Sequence, residues 1–333
     1  MKNIYVLFFF VLSSVVISVG QVRPRVFINP GHGGHDSNDR PSFFYNIGAG
    51  DTLRYYESDT NLAKGLALRD ILEQRGYEVR ISRTENTSAD DLDLFEISAL
   101  ANHSGADLFF SIHSNATGVV RRVNYTLALY RGWSGQPCVE GSDSIAASMI
   151  RSLDRNRITT WTHPKMKAGD WSFFRDWGYK TGLGVLRYNK LPGMLVEGEF
   201  HDYFPEKCRL MNADYCWLEG WNQSLGIDEY FGRTAMRGVG AIAGRLLDLT
   251  AESVYPGEIL FGLDSFRPLN STAVTLETPD GHVVASTVTD NRDNGVYVFK
   301  NVPAGRYRVC VRDTVRDVIL LPATTAYCNF SFD

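Results

Sequence analysis

Residues 26–34, Val-Phe-Ile-Asn-Pro-Gly-His-Gly-Gly, decide how the rest of the chain is read. Val26 to Ile28 is a short apolar run of the kind that forms a buried strand. Asn29-Pro30-Gly31 must end it, because proline fixes φ and glycine permits backbone angles that other residues avoid. His32 is thereby presented at the C-terminal edge of a strand, which in open α/β sheets is where ligands sit. Two later stretches repeat the design. Leu108 to Ile112 is a continuous apolar run delivering His113, Ser114 and Asn115, and Met194 to Val196 delivers Glu197.

Between these strands the pattern alternates. Leu62, Leu66, Leu68, Ile71 and Leu72 mark an apolar helical face opened by Glu57 and Ser58, with Ser58 as its cap, and closed by Gly76. Tyr77 to Ser82 reads as a strand, 91–103 as a helix, Tyr125 to Tyr130 as a strand and Ser142 to Leu153 as a helix. Val185-Leu186 reads as a further core strand, and Thr234 to Leu249 as the last of two or three final helices. His35 to Tyr56 reads as a long polar loop, and Arg155 to Thr181 as an irregular, aromatic-rich stretch. Alternation of this kind predicts an α/β fold, with an open, twisted, mostly parallel sheet flanked by helices. A compositional break near 253–257 introduces short strands separated by Pro279-Asp280-Gly281, Asp293-Asn294-Gly295 and Pro303-Ala304-Gly305, which predicts a small all-β sandwich.

Length and composition are compatible with this division. The chain has 333 residues, 44% hydrophobic and 22% charged, with a net charge of −4. That balance argues against a nucleic-acid partner. Lys2, the apolar run Ile4 to Ile17 and the small residues Ser18-Val19-Gly20 form a signal peptide over 1–20, too short and poorly flanked for a stable membrane span. The expectation is therefore an exported protein, periplasmic or secreted, with a catalytic domain over 21–252 and a β-sandwich over 253–333. In such a compartment some of Cys138, Cys208, Cys216, Cys310 and Cys328 are expected to pair, with Cys310 and Cys328 placed to clip two strands. None has the C-x-x-C spacing of a structural zinc site.

His32, Glu57 and His113 carry the chemistry. Two imidazoles and a carboxylate with one open position are a usual ligand set of catalytic zinc, and a bound Zn2+ makes a water acidic at neutral pH. Hydrolysis also requires a general base, and Glu197 ends its own strand where it can serve. Glu199 lies two residues on, so in a regular strand it faces the same way and competes for that role. His201 is near enough to orient or protonate a leaving group, and Asn115 and Arg187 are candidates for substrate or supporting contacts.

In order along the chain, Asn-Pro-Gly-His-Gly-Gly, the Glu57 helix with Asn61-Leu62, Ala106 to Asn115, Val185-Leu186-Arg187 and Leu195-Val196-Glu197-Gly198 resemble the zinc-dependent N-acetylmuramoyl-L-alanine amidases. The resemblance spans about 24–249. It implies a peptidoglycan hydrolase that cuts between the lactyl group of N-acetylmuramic acid and L-alanine during cell-wall remodelling or daughter-cell separation. It also implies His32, Glu57 and His113 as metal ligands, Glu197 as the catalytic carboxylate, and leaves room for a protein activator. The chain departs from the family at Glu199, where a small residue is usual, and at Phe200-His201-Asp202, where the family has Phe-x-Asn. Asp293 to Phe299 and Val302 to Tyr307 resemble the carboxypeptidase-regulatory-like or transthyretin-like β-sandwiches, a likeness that implies no chemistry. Two other classes compete with the amidase: a non-catalytic peptidoglycan-binding scaffold on an amidase-like fold, and a zinc peptidase of the stem peptide.

Overall fold

The structure is a computed structural model and describes residues 23–118, 122–178, 181–233, 238–255 and 260–333. The expected signal peptide, 1–20, lies outside the described residues. Strand β1 (Arg25–Pro30) is followed by a hairpin of β2 (Ser42–Asn46) and β3 (Asp51–Tyr55), then α1 (Glu57–Gln74), β4 (Glu78–Ile81), α2 (Leu94–His103) and β5 (Leu108–Asn115). Next come β6 (Leu127–Tyr130), a short ladder of β7 (Gly132–Trp133) with β8 (Gln136–Pro137), α3 (Ser142–Leu153), β9 (Met166–Gly169), and the single turns α4 (Asp170–Phe173) and α5 (Gly184–Arg187). Strand β10 (Gly193–Phe200) and helices α6 (Phe204–Leu210) and α7 (Ala213–Tyr230) complete the α/β part.

The central sheet runs β4-β1-β5-β10-β6-β9. Strands β4, β1, β5 and β10 are mutually parallel, and β6 turns antiparallel against β10. Alternate residues serve two cores, the mark of a sheet covered on both faces. Val26, Ile28, Phe110, Ile112, Met194 and Val196 pack against Leu68 and Leu72 of α1, Ile145 and Met149 of α3 and Ile227 of α7. Phe27, Phe109 and Leu195 pack on the other side against Ile97 and Ala101 of α2 and Val185 and Leu186 of α5. His113 and Glu197 continue this second row, so both side chains emerge on the same face, in register with each other across β5 and β10.

Several expectations need correction. Val185-Leu186 is a turn of helix, not a strand. The 35–56 loop contains the β2–β3 hairpin. Ser58 lies inside α1, where its hydroxyl donates to Gly34 O at 2.6 Å, and Tyr56 occupies the cap position. The expected final helix is a strand in its described portion, β11 (Val239–Glu252).

Strand β11 opens the C-terminal β part, followed by β12 (Phe266–Pro268), β13 (Ala273–Glu277), β14 (Val283–Val288), β15 (Val296–Pro303), β16 (Gly305–Val311), β17 (Thr314–Leu320), β18 (Thr325–Tyr327) and β19 (Phe330–Phe332). Strand β11 pairs with β12, β15, β18 and β19, while β14-β13-β16-β17 form a second sheet. Ile242, Leu246, Val274, Leu276, Tyr297, Phe299, Val309 and Phe330 fill a shared core. The opposite face of β11 and β15 sends Ala241, Ala243, Val296 and Val298 against Tyr215, Leu218 and Trp221 of α7. A buried polar line also crosses the junction. Asp264 binds Arg245 of β11 and Arg209 of α6, Arg209 reaches Glu206 at 2.7 Å, and Asn124 links Glu206 to the backbone N of Phe200 on β10. No disulfide joins the five cysteines; Cys310 is partly exposed, whereas Cys328 is buried in the β core.

Candidate metal centre

The site forms where β1, β5 and β10 end beside the N-terminus of α1. Gly31 N extends the β1–β5 ladder by one bond to Ile112 O at 2.9 Å. The chain then turns sharply at His32, whose φ of 63° lies in the left-handed region that costs a non-glycine residue about 1–2 kcal/mol. The surroundings hold it there. Fully buried Asp39 accepts from Gly33 N, and Asn86 Oδ1 accepts from Gly34 N at 2.8 Å. Buried Arg83 donates to the carbonyls of Pro30, Gly31 and Ser58, tying the His32 turn to the start of α1.

Glu57, the first residue of α1, is buried between the two histidines. His32 Nε2 lies 3.3 Å from Glu57 Oε2, and His113 Nδ1 lies 3.1 Å from Glu57 Oε1. Oε1 also accepts from Asn61 Nδ2 and Ser114 N, each at 3.1 Å. The imidazoles cross nearly at right angles, with ring centroids 5.0 Å apart. One donor atom from each of His32, Glu57 and His113 can be chosen so that all lie within 4.8 Å of one another. Zinc ligands at about 2.0–2.2 Å in a tetrahedron stand roughly 3.3–3.6 Å apart, so the donor set and its spacing fit such an ion with small side-chain adjustments.

The electrostatics are those of a ligand cluster. Burial opposes charge on Glu57, but hydrogen bonds from His113 and His32 outweigh it and hold the carboxyl well below the usual range. Burial also disfavours the His32 imidazolium, yet Glu57 raises its pKa overall, whereas for His113 burial prevails and keeps the ring neutral. Glu197 is pushed well up by burial and by the charge of Glu57. Its Oε2 is buried and has no hydrogen-bond partner, and the same is true of His201 Nε2. Both residues line the cleft of about 380 Å³ that contains His32, Glu57 and His113. His201 Nε2 is 3.8 Å from Glu57 Oε2, and its ring stacks on Tyr55.

Asn115 lines the same cleft. Arg187 does not; it donates to Thr181 Oγ1 and Gly182 O. Glu199 does not face the cleft either. The β5–β10 register shifts between Glu197 and Phe200, and Glu199 turns instead to a buried ion pair with Lys64. Sequence reasoning missed Arg83 and the hydrogen-bonding parts of Asn61 and Ser114. Arg83 carried a signal, since it follows a strand at the same sheet edge as His32 and His113.

A mostly parallel sheet with His, Glu and His gathered in a cleft at its C-terminal edge defines an α/β protein with a candidate divalent-metal centre. Residues 26–217 match the N-acetylmuramoyl-L-alanine amidase family, and the chain belongs to it. It is 28% identical over 210 residues to the sporulation-specific N-acetylmuramoyl-L-alanine amidase of Bacillus subtilis (strain 168), an alignment covering 62% of this chain and 68% of that protein. It is 30% identical over 181 residues to the N-acetylmuramoyl-L-alanine amidase CwlM of Bacillus licheniformis, covering 54% of this chain and 57% of that one. Among solved structures, N-acetylmuramoyl-L-alanine amidase AmiC2 of Nostoc punctiforme is 25% identical, with a TM-score of 0.48 over 63% of this chain and 98% of its own.

Proposed function

We propose that this chain is a zinc-dependent amidase that hydrolyses the bond between the lactyl group of N-acetylmuramic acid and L-alanine in peptidoglycan. We place it outside the cytoplasm, acting in wall remodelling or daughter-cell separation, with the C-terminal β part, including β11, as an accessory unit. Among the described residues no helix is long and apolar enough to cross a membrane. The observation that carries the reading is Glu197, an unpartnered buried carboxylate oxygen set in register beside His113 in the cleft of the His-Glu-His cluster.

His32, Glu57 and His113 would hold the zinc, and its contribution when bound is Lewis acidity toward a carbonyl and a water. Glu57 Oε1 accepts from Asn61 Nδ2 and Ser114 N, two contacts that would hold the carboxylate in place for the ion. Glu197 then acts as general base toward the attacking water and returns the proton to the leaving amine of L-alanine. His201, kept neutral by burial, orients groups at the cleft wall.

The test is mass spectrometry of muropeptides digested by the purified protein, with and without a chelator, beside Glu197→Gln. Free stem peptides beginning at L-alanine, lost on chelation and in the variant, support the amidase. Shortened stems still attached to muramic acid replace it with a zinc peptidase, and no products from a metal-loaded protein point to an absent activator or to a wall-binding role.

A further inference from the structure

Lys64 is fully buried on α1, seven residues after Glu57. Its Nζ donates to Ser114 Oγ at 2.9 Å and to Glu199 Oε1, and lies 2.8 Å from Glu219 Oε2. Ser114 Oγ donates in turn to Glu199 Oε1 at 2.8 Å, while Gln223 Nε2 donates to Glu219 Oε1 at 2.9 Å. Four elements of the fold, α1, β5, β10 and α7, meet in this cluster. There is no slack around it: a Cβ on Gly198 would stand 2.3 Å from Glu219 Oε1.

The cluster touches the candidate centre at one point. Ser114 uses its hydroxyl for Lys64 and Glu199, and its backbone N for Glu57 Oε1. We propose that Lys64, Glu199 and Glu219 are positioning residues that, through Ser114, hold the Glu57 carboxylate in place for zinc. This rests on the zinc reading above and gives a role to the glutamate that departs from the family pattern.

Charge and energetics favour positioning over simple stability. Burial and the neighbouring Glu199 push Glu219 well up, and the Lys64 ammonium is set between the two carboxyl groups. A buried ion pair is generally no more stabilising than apolar residues of the same volume, so its value lies in geometry. Outer-shell partners of metal ligands typically tune affinity 10- to 100-fold.

The experiment measures zinc affinity by chelator competition, and the unfolding midpoint of the metal-free protein, for wild type, the double variant Lys64→Met/Glu199→Ala, and Ser114→Ala. Ser114→Ala keeps the backbone N–H and the ion pair, so it remains informative if the double variant does not fold. The expected result is zinc binding weakened about 10- to 100-fold in variants that remain folded. Affinity within threefold of wild type in a folded variant overturns the proposal, as does a wild-type protein that takes up no zinc. A wild-type protein that binds zinc yet cleaves no muropeptide counts against the amidase reading as tested without an activator, and leaves the affinity comparison to judge the cluster.

Discussion

Gly31 and His113 occupy space that only a glycine leaves free: a Cβ on Gly31 would lie 2.1 Å from Cε1 and Nε2 of the His113 ring. Gly31 has no positive φ, so closeness, not backbone freedom, is what the motif requires at this position. Gly31→Ala should displace the imidazole, weaken zinc binding at least about tenfold and cost about 1–3 kcal/mol of overpacking. Calorimetric zinc titration beside circular dichroism checks both, and unchanged affinity would show that the ring has another place to go.

Arg83 lines the cleft and should matter chiefly through the backbone it holds. Its guanidinium serves four backbone carbonyls, of Pro30, Gly31, Ser58 and Glu85, that a lysine cannot reach together. Arg83→Lys leaves at least one of them buried without a donor, a cost of about 1–3 kcal/mol. Urea unfolding measures the loss, and the same variant should bind zinc more weakly because the His32 turn loosens.

Glu197→Gln should separate binding from chemistry. The amide retains the shape of the side chain but cannot take a proton, so kcat/KM should fall about 10²- to 10⁴-fold while zinc content stays at the wild-type level. Metal analysis of the purified variant and a muropeptide time course give the two readings. An active variant would move the base elsewhere in the cleft.

Asp264 should set part of the acid stability. Burial works against its charge, but Arg209 and Arg245 hold the carboxyl far below its usual range. A depressed carboxyl contributes fully above its unfolded pKa of about 4, and that contribution is lost as pH falls below it. Asp264→Asn should therefore cost about 3–5 kcal/mol at neutral pH, by stranding the buried Arg245 guanidinium and leaving Arg209 with Glu206 alone. The deficit against wild type should shrink as pH drops below about 4. Unfolding midpoints collected across that range test the sign.

Much of this arrangement is legible from the sequence because it lies at the ends of apolar runs. Strands β1, β5 and β10 announce themselves as apolar runs; His113 and Glu197 stand directly after their runs, and His32 stands one turn residue beyond the end of β1. The errors have equally definite causes. Strand β11 is buried on both faces, with Ile242 and Leu246 in one core and Ala241 and Ala243 in another, so it shows no alternation and its alanines and leucines suggest a helix. Val185-Leu186 is too short an apolar pair to distinguish strand from helix. Glu199 breaks the two-residue rule because the register shifts just before it, a local irregularity that pattern reasoning does not see. Its partner Lys64 is 135 positions away, and no periodicity connects them.

The face of α7 that carries Tyr215, Leu218 and Trp221 is roofed by β11 and β15, so the recognisable amidase region, ending at 217, stops within a helix whose cover is supplied by later strands. Such a unit does not travel as a bead on a string. A fragment cut after Arg233 would keep every residue of the candidate centre and still expose an aromatic surface that invites self-association. In this chain the two parts are therefore coupled through one shared surface, and any replacement of the C-terminal β part must supply a matching face for α7.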